Sequence, residues 1–413
     1  MTILPFRLAG ALLLAGLLAA CQSTPTREAA AHATPSLLLV SLDGFHPRYL
    51  DESPNLRALA AEGVRAEWMT PSYPSLTFPN HYSIVTGLRP DRHGIVHNTM
   101  HDAELGDFSL ANRDAVGDGR WWQGEPVWVG AEKAGLRTAT MFWPGSEAPI
   151  QGVRPGRWLP YDGKATASTR VDTVLGWLDE PAATRPRLAT LYFEQVDTIG
   201  HGHGPDSAEV HAAVREVDEA IGRLVNGLRD RGQLESINLI VVSDHGMAAV
   251  PAGNVVALED MVDPANAETV SAGQSVGFAP RPGRTREAEA QLLGRHQHHE
   301  CWRRNELPTR WHYGRHPRVP AIICQMDEGW NAHPRQVIQR FAQVPQRTRG
   351  SHGYDPALPS MRAIFIARGP AFRQGTVLPA VDNVDVYPLL TRLLGIPAAD
   401  NDGDPRALEP ALR

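Results

Sequence analysis

The sequence has only three cysteines, no dense basic patch, no fixed-period repeat and no low-complexity tract. Each absence removes a class of protein. Without a repeat there is no case for a stacked array, and without a low-complexity tract the 37 glycines and 34 prolines serve as punctuation between apolar segments of a globular body. The formal charge of -6, with arginines scattered along the chain, argues against a nucleic-acid-binding surface. No protein partner is indicated either. At 413 residues the chain can bury a large core, as one large α/β domain or as two ordinary ones.

The apolar run in MTILPFRLAGALLLAGLLAACQS is too short for a membrane span. One Arg before it and small residues after it give the layout of a secretory signal. Leu18-Ala19-Ala20-Cys21 resembles a bacterial lipobox, which implies a leader over 1–20, a lipidated Cys21 as the new N-terminus and a flexible tether over 21–36. A plain cleaved signal or an uncleaved anchor is the alternative. The lipobox reading makes the protein exported and periplasmic, attached to the bacterial outer membrane through lipid alone. It also leaves Cys301 and Cys324 as a pair in an oxidising compartment, either bridged or buried as two free thiols.

From Ser36 onward, short apolar runs alternate with amphipathic stretches, the pattern of an α/β fold with a mostly parallel central sheet flanked by helices. SLLLVSL (36–42), LATLYFE (188–194), NLIVVS (238–243) and MRAIFIA (361–367) read as buried strands. Helices are expected over 54–63, 207–232 and 385–395, the first two ending at Gly63 and Gly232. Between about 250 and 350 the rhythm breaks into Arg, His, Pro and Trp, with one convincing strand, VPAIICQM (319–326). The main rhythm then resumes, so this stretch is read as a smaller irregular lobe inserted in a single domain spanning 37–405.

Three of the expected strands end in groups able to bind or react: Asp43, Asp197 and the pair Asp244-His245. Ligands of open parallel sheets sit beyond the carboxyl ends of the strands, so these groups are expected in one place. Taken singly, each has an ordinary reading as a turn or helix cap. With His201, four residues after Asp197, and His352 in GSHGYDP, they make three carboxylates and three imidazoles on Gly-flanked loops. Mixed oxygen and nitrogen donors suit zinc, though manganese or cobalt would be tolerated, and six such donors could hold two ions. Prolines 71, 74 and 79 bend the chain into a helix expected to begin near Thr77, where free N–H groups favour anions. Thr77 is then either a helix cap or a hydroxyl nucleophile activated by metal.

DGFHPRYL, PSLTFPNHYSIVTGLRPDRHGIVHN, DTIGHGHGP, SDHGM and GSHGYDP follow one another in this order. Through them the chain from about Leu37 to Ile396 resembles the nucleotide pyrophosphatase/phosphodiesterase family of the alkaline phosphatase superfamily. The resemblance implies a catalytic domain with two Zn2+ per chain. Asp197, His201 and His352 would bind one ion, and Asp43, Asp244, His245 and the Thr77 hydroxyl the other. It implies that Thr77 is a covalent nucleophile and that Asn98 holds a phosphoryl oxygen. It also implies nucleobase-facing aromatics at Phe78, Tyr161 and Tyr192, with Trp143 lining the same pocket; core packing is the alternative for each.

The expected substrates are nucleotide diesters or pyrophosphate-linked nucleotides, cleaved to nucleoside 5′-monophosphate. A phosphomonoesterase or a phospholipid-directed diesterase on the same scaffold is the alternative, and a surface lipoprotein that binds metal or nucleotide without turnover is another. No Arg or Lys adjoins Thr77 to meet the additional charge of a monoester. His203 is read as a neighbour of the ligand His201, and His296, His298 and His299 as a solvated loop, not a third metal site. Neither Cys-rich modules before the catalytic region nor a nuclease-like domain after it is expected, which makes this a minimal bacterial form.

Overall fold

Alternation along the strand Ser36–Leu42 decides the architecture. Successive side chains of a strand face opposite sides, so Leu37 and Leu39 enter one apolar core while Leu38, Val40 and Leu42 enter another. Its neighbours Ile237–Val242 and Phe365–Arg368 divide in the same way, with Ile240, Val242, Phe365 and Ala367 on the first side and Leu239, Val241 and Ile366 on the second. A sheet apolar on both faces has to be covered on both. In the computed structural model, which describes residues 36–344 and 347–413, helices Thr77–Thr86, Val127–Lys133 and Val386–Leu394 contribute to the first core. Helices Pro54–Glu62, Ala167–Leu178 and Ala208–Asp230 cover the other face. The leader over 1–20, the lipid-bearing Cys21 and the tether before Ser36 lie outside the described residues.

The central sheet has eight strands in the order Thr376–Leu378, Val64–Ala66, Phe365–Arg368, Ile237–Val242, Ser36–Leu42, Leu188–Phe193, Thr138–Met141 and Arg157–Trp158. Five of its pairings are parallel and the two made by Phe365–Arg368 are antiparallel. The expected α/β class therefore holds, as a mixed sheet in which parallel pairs predominate. The fourth expected strand is displaced: Pro359–Met361 forms a turn of 3-10 helix and the strand begins only at Phe365. Helix Ala208–Asp230 starts where Ser207 Oγ accepts from the Val210 N–H at 3.2 Å, and it buries Val210, Val214, Val217, Ile221, Leu224 and Leu228 at helical spacing. The chain after residue 405 stays on the body, with Phe372 paired to Leu412.

The stretch from 250 to 350 contains far more strand than the sequence suggested. A five-stranded antiparallel sheet runs in the order Ala267–Ser271, Ser275–Pro280, Ile322–Met326, His299–Arg303 and Gly294–Arg295. These strands are short and several are polar on one side, so alternation never accumulates over enough residues to stand out. Cys301 lies opposite Cys324 on adjacent strands and the two form a disulfide, so the pair is bridged. At the base of the lobe, Ala248–Val250 pairs antiparallel with Arg349–Ser351, so the chain enters and leaves through one two-stranded stem.

The bridge closes a loop with a sequence separation of 23 residues. On the chain-entropy model such a loop contributes about 3 kcal/mol. A Cys301→Ser, Cys324→Ser variant is expected to lose about that much in urea unfolding, and non-reducing peptide mapping of the natural protein should recover the linked pair. Recovery of both as free thiols would contradict the bridge.

Candidate active site

Three adjacent parallel strands each deliver one aspartate to the same edge of the sheet. Asp43 follows Ser36–Leu42, Asp244 follows Ile237–Val242, and Asp197 lies in helix Gln195–His203, just beyond Leu188–Phe193. Neighbouring strands are only about 4.8 Å apart, so the carboxylates converge without long loops. Gly44, with φ +68, makes the turn after Asp43, and a Cβ there would stand 3.1 Å from the Asp197 backbone. Its N–H donates to Asp244 Oδ1 at 3.1 Å. His201 sits four residues after Asp197, on the same helix face. The stem brings in the last donor: it starts just after His245 and ends just before His352, and the two rings stack at 3.6 Å.

All three histidines are aimed alike. Nδ1 of His245, His201 and His352 lies 2.9, 3.1 and 2.9 Å from the carbonyls of Gly246, Gly350 and Ser75 respectively. A backbone carbonyl can only accept, so Nδ1 carries the proton and Nε2 turns its lone pair inward. His201 Nε2 and His352 Nε2 face each other at 3.0 Å and lie 3.4 and 3.3 Å from Asp197 Oδ1. His245 Nε2 lies 2.9 Å from Asp244 Oδ2 and 3.6 Å from Asp43 Oδ1. Asp43 Oδ1, Asp197 Oδ1 and Asp244 Oδ2 are buried, and among the described residues none has an aligned hydrogen-bond donor. Lone pairs of carboxylate and imidazole thus converge without protons to separate them, which is a donor set built for cations. Asp43, Asp244 and His245 form one such group, and Asp197, His245 and His352 another.

Electrostatics within the cluster show the same conflict. Burial, together with the Asp244 and Asp197 carboxylates, pushes Asp43 well above the usual carboxylate range. Burial also opposes ionisation of Asp244, but His245 and His81 outweigh it and hold Asp244 well below that range. Burial works against a charge on His245 too, yet Asp244 prevails and raises its pKa. His352 is held far below the usual imidazole value by burial and then by its His245 and His201 neighbours.

Thr77 opens helix Thr77–Thr86 and its Oγ1 lies 3.3 Å from His245 Nε2. Asn98 Oδ1 accepts from the Phe78 N–H at 3.0 Å, which leaves the Asn98 amide N–H groups free to donate beside Thr77. The lobe fixes the segment carrying Asn98. Arg318 Nη1 donates to the Gly94 carbonyl at 2.8 Å and its Nε to Asp102 at 2.7 Å, Tyr313 donates to the Val96 carbonyl at 3.0 Å, and His97 Nε2 meets the Ser275 carbonyl at 3.1 Å.

His81 and Ser41 escaped the sequence reading. His81 is fully buried, four residues after Thr77 on one helix face. Its Nδ1 lies 2.9 Å from the Thr77 carbonyl and 3.3 Å from Asp244 Oδ2, and its Nε2 lies 2.8 Å from Ser41 Oγ. The only signal in sequence was that spacing from Thr77.

The aromatic set divides. Phe78 is half-buried, packed on Trp122 at 5.8 Å, and Tyr161 keeps 39% of its surface exposed. Both keep part of their surface open to solvent. Trp143 is 1% exposed, with its ring against His81 and its Nε1–H donating to the His81 carbonyl, so its place is core packing beneath the Thr77 helix and not a pocket wall. Tyr192, 7% exposed, donates its hydroxyl to Asp43 Oδ2 at 2.6 Å, so it orients a carboxylate. His203 lies between Glu209 and Arg347, each at 3.3 Å. The reading of residues 296 to 299 as a solvated loop fails for His299, which is buried and stacked on His296, while His298 stacks on Trp330 at 3.4 Å. His296, His299 and Cys301 do lie close together, but the Cys301 sulfur is committed to the disulfide.

The family model described as Type I phosphodiesterase / nucleotide pyrophosphatase matches residues 37–355. Among curated proteins, ectonucleotide pyrophosphatase/phosphodiesterase family member 3 of Bos taurus is 37% identical over 398 residues, which cover 92% of this chain and 44% of that protein. The venom phosphodiesterase of Naja atra is 37% identical over 91% of this chain and 46% of its own length. An uncharacterized pyrophosphatase/phosphodiesterase of Schizosaccharomyces pombe is 35% identical over 89% of this chain and 78% of its own. The chain thus spans less than half the length of the first two. Among solved structures, murine ectonucleotide pyrophosphatase/phosphodiesterase 5, as an inactive threonine-to-alanine variant in complex with AMP, superposes with a TM-score of 0.86 at 32% identity, over 92% of this chain and 100% of that one.

The buried imidazole yields a test. His81→Ala is expected to weaken metal binding by about 10- to 100-fold, the usual effect of losing a group that orients a ligand, while the fold persists. Competition against a chromogenic chelator measures it, and an unchanged affinity would show that His81 does not hold Asp244 in place.

Proposed function

Because the chain belongs to the type I phosphodiesterase / nucleotide pyrophosphatase family, we propose that it hydrolyses phosphodiester or pyrophosphate bonds of nucleotides and releases nucleoside 5′-monophosphate. One observation carries this reading: the Thr77 hydroxyl stands at a helix N-terminus, 3.3 Å from the His245 imidazole of the donor cluster, with the Asn98 amide beside it. Two relatives add support. One is named for venom phosphodiesterase activity, and the murine structure couples AMP with an inactivating threonine-to-alanine change.

The chain's own groups account for most of the chemistry. Asp197, His201 and His352 would hold one zinc ion, and Asp43, Asp244 and His245 a second. When bound, these ions would supply the positive charge that replaces the Thr77 hydroxyl proton and stabilises the leaving oxygen. Thr77 Oγ1 gives up its proton and attacks phosphorus in line, the bond to the leaving group breaks and the leaving oxygen is protonated, and the nucleoside 5′-phosphoryl group remains on Thr77 as a phosphodiester. Water then attacks the same phosphorus and returns the Thr77 hydroxyl. Asn98 and the backbone N–H of Thr77, at the start of helix Thr77–Thr86, donate to the non-bridging oxygens as charge grows on them. Phe78 and Tyr161 take the nucleoside, where stacking contributes about 1 to 3 kcal/mol per base with little base preference.

Charge selects the diester. Among the described residues, no Arg or Lys pairs with Asp43, Asp197, Asp244, Thr77 or Asn98, so nothing matches the additional charge of a monoester. Residues 37–405 serve as one catalytic domain whose lobe steadies the Asn98 segment. Among the described residues no helix is long and apolar enough to cross a membrane. Attachment through lipidated Cys21, after export to the periplasm, completes the proposal, and mass spectrometry of the mature N-terminus would test it.

Two outcomes are expected. Thr77→Ala should lose turnover while still binding about two zinc ions per chain, whereas wild-type turnover in that variant would make water the nucleophile. The thymidine 5′-monophosphate p-nitrophenyl ester should be cleaved far faster than p-nitrophenyl phosphate, and Phe78→Ala should lower kcat/KM on the nucleotide by roughly 5- to 150-fold. A preference for the monoester would reverse the assignment.

A further inference from the structure

Arg170 is a fully buried guanidinium whose position nothing above explains. It rises from helix Ala167–Leu178, and its Nη1 donates to the Tyr192 carbonyl at 2.9 Å and its Nε to the Ala165 carbonyl at 3.1 Å. Its remaining donors fork onto the Glu194 carboxylate, with Nη2 at 2.6 Å from Oε1 and Nη1 paired to Oε2. The side chains are 0% and 15% exposed, so both charges are largely taken out of water. A pair this buried is weak evidence of a gain in stability, because desolvation offsets most of the attraction. Its role has to be sought in what it holds.

What it holds is the aromatic side of the site. The Arg170 guanidinium lies over the Phe142 ring at 5.1 Å. Phe142 directly follows the strand Thr138–Met141, at the sheet edge that carries the aspartates, and it adopts φ +67, a left-handed conformation that a bulky residue keeps only under constraint. The Phe142 ring meets Tyr161 edge to face at 5.5 Å, and Tyr161 in turn tilts against Tyr192 at 6.4 Å. Burial, and then the nearby Glu194 carboxylate, push the Tyr161 hydroxyl up to about 12, so the same carboxylate that grips Arg170 also faces Tyr161.

We infer that the Arg170–Glu194 pair is a positioning device that locks Phe142 and through it sets Tyr161 as the nucleoside-side wall of the site. The inference rests on the nucleotide reading given above. Arg170 and Glu194 touch no reacting atom; they act through Phe142 and Tyr161. Removing them should therefore cost nucleoside binding and leave the phosphorus chemistry intact.

The test uses the double variant Arg170→Met, Glu194→Met, which removes both charges at similar volume and so avoids stranding one of them in the interior. Kinetics are measured on the thymidine 5′-monophosphate p-nitrophenyl ester and on methyl p-nitrophenyl phosphate, a diester without a nucleoside, together with bound metal. The expected result is a KM for the nucleotide raised roughly tenfold, as for loss of one stacking contact, with kcat, the simple diester and metal content at wild-type values. An equal loss on both diesters, or loss of metal, would overturn the inference and make the pair a general support of the ligand cluster. A wild-type enzyme that does not favour the nucleotide ester over the simple one would instead overturn the nucleotide reading itself.

Discussion

Three carboxylates and three imidazoles are held within a few ångströms of one another, largely out of water, and the rest of the structure answers to that. Asp43, Asp197 and Asp244 repel each other when ionised, which is why Asp43 is pushed toward its neutral form while Asp244 is kept charged by its histidine neighbours. A cluster of this kind would spring apart on flexible loops. Here each member is fixed by something that cannot yield cheaply: a parallel strand end for Asp43 and Asp244, a helix for Asp197 and His201, and the two-stranded stem for His245 and His352. The backbone carbonyls at Ser75, Gly246 and Gly350 then set which imidazole nitrogen looks inward.

The inserted lobe belongs to the same scheme. Its stem closes between His245 and His352, so the pairing that shuts the lobe also brings these two imidazoles together. From its far side, Arg318, Tyr313 and Ser275 reach the segment carrying Asn98 and bind it at Gly94, Val96, His97 and Asp102. Trp311 also stacks on Tyr73 at 4.0 Å, four residues before Thr77. Thr77, Asn98 and the six donors are thereby referenced to one frame, which is what the proposed in-line attack at phosphorus requires.

The sheet was legible because its strands are apolar on both faces, and runs such as SLLLVSL and NLIVVS have no other good use in a globular chain. The convergence of the six donors was legible because strand ends point them at one place. The lobe sheet was hidden because strands such as His299–Arg303 are short and carry charge. For Trp143 and Tyr192 the sequence leaves pocket wall and core packing both open, because it records that an aromatic is near a motif, not which way its ring turns. His81 went unseen for a similar reason. Its partners, Ser41 and Asp244, are far away in sequence and meet it only when helix and sheet pack.

The central claim is that the phosphoryl group passes through Thr77, and stereochemistry reads that passage directly. A thymidine phosphorothioate diester of one configuration at phosphorus, hydrolysed in 18O-labelled water, reports how many in-line displacements have occurred. Two displacements, one by Thr77 and one by water, give net retention. Net inversion would mean a single direct attack by water and would contradict the account at its centre.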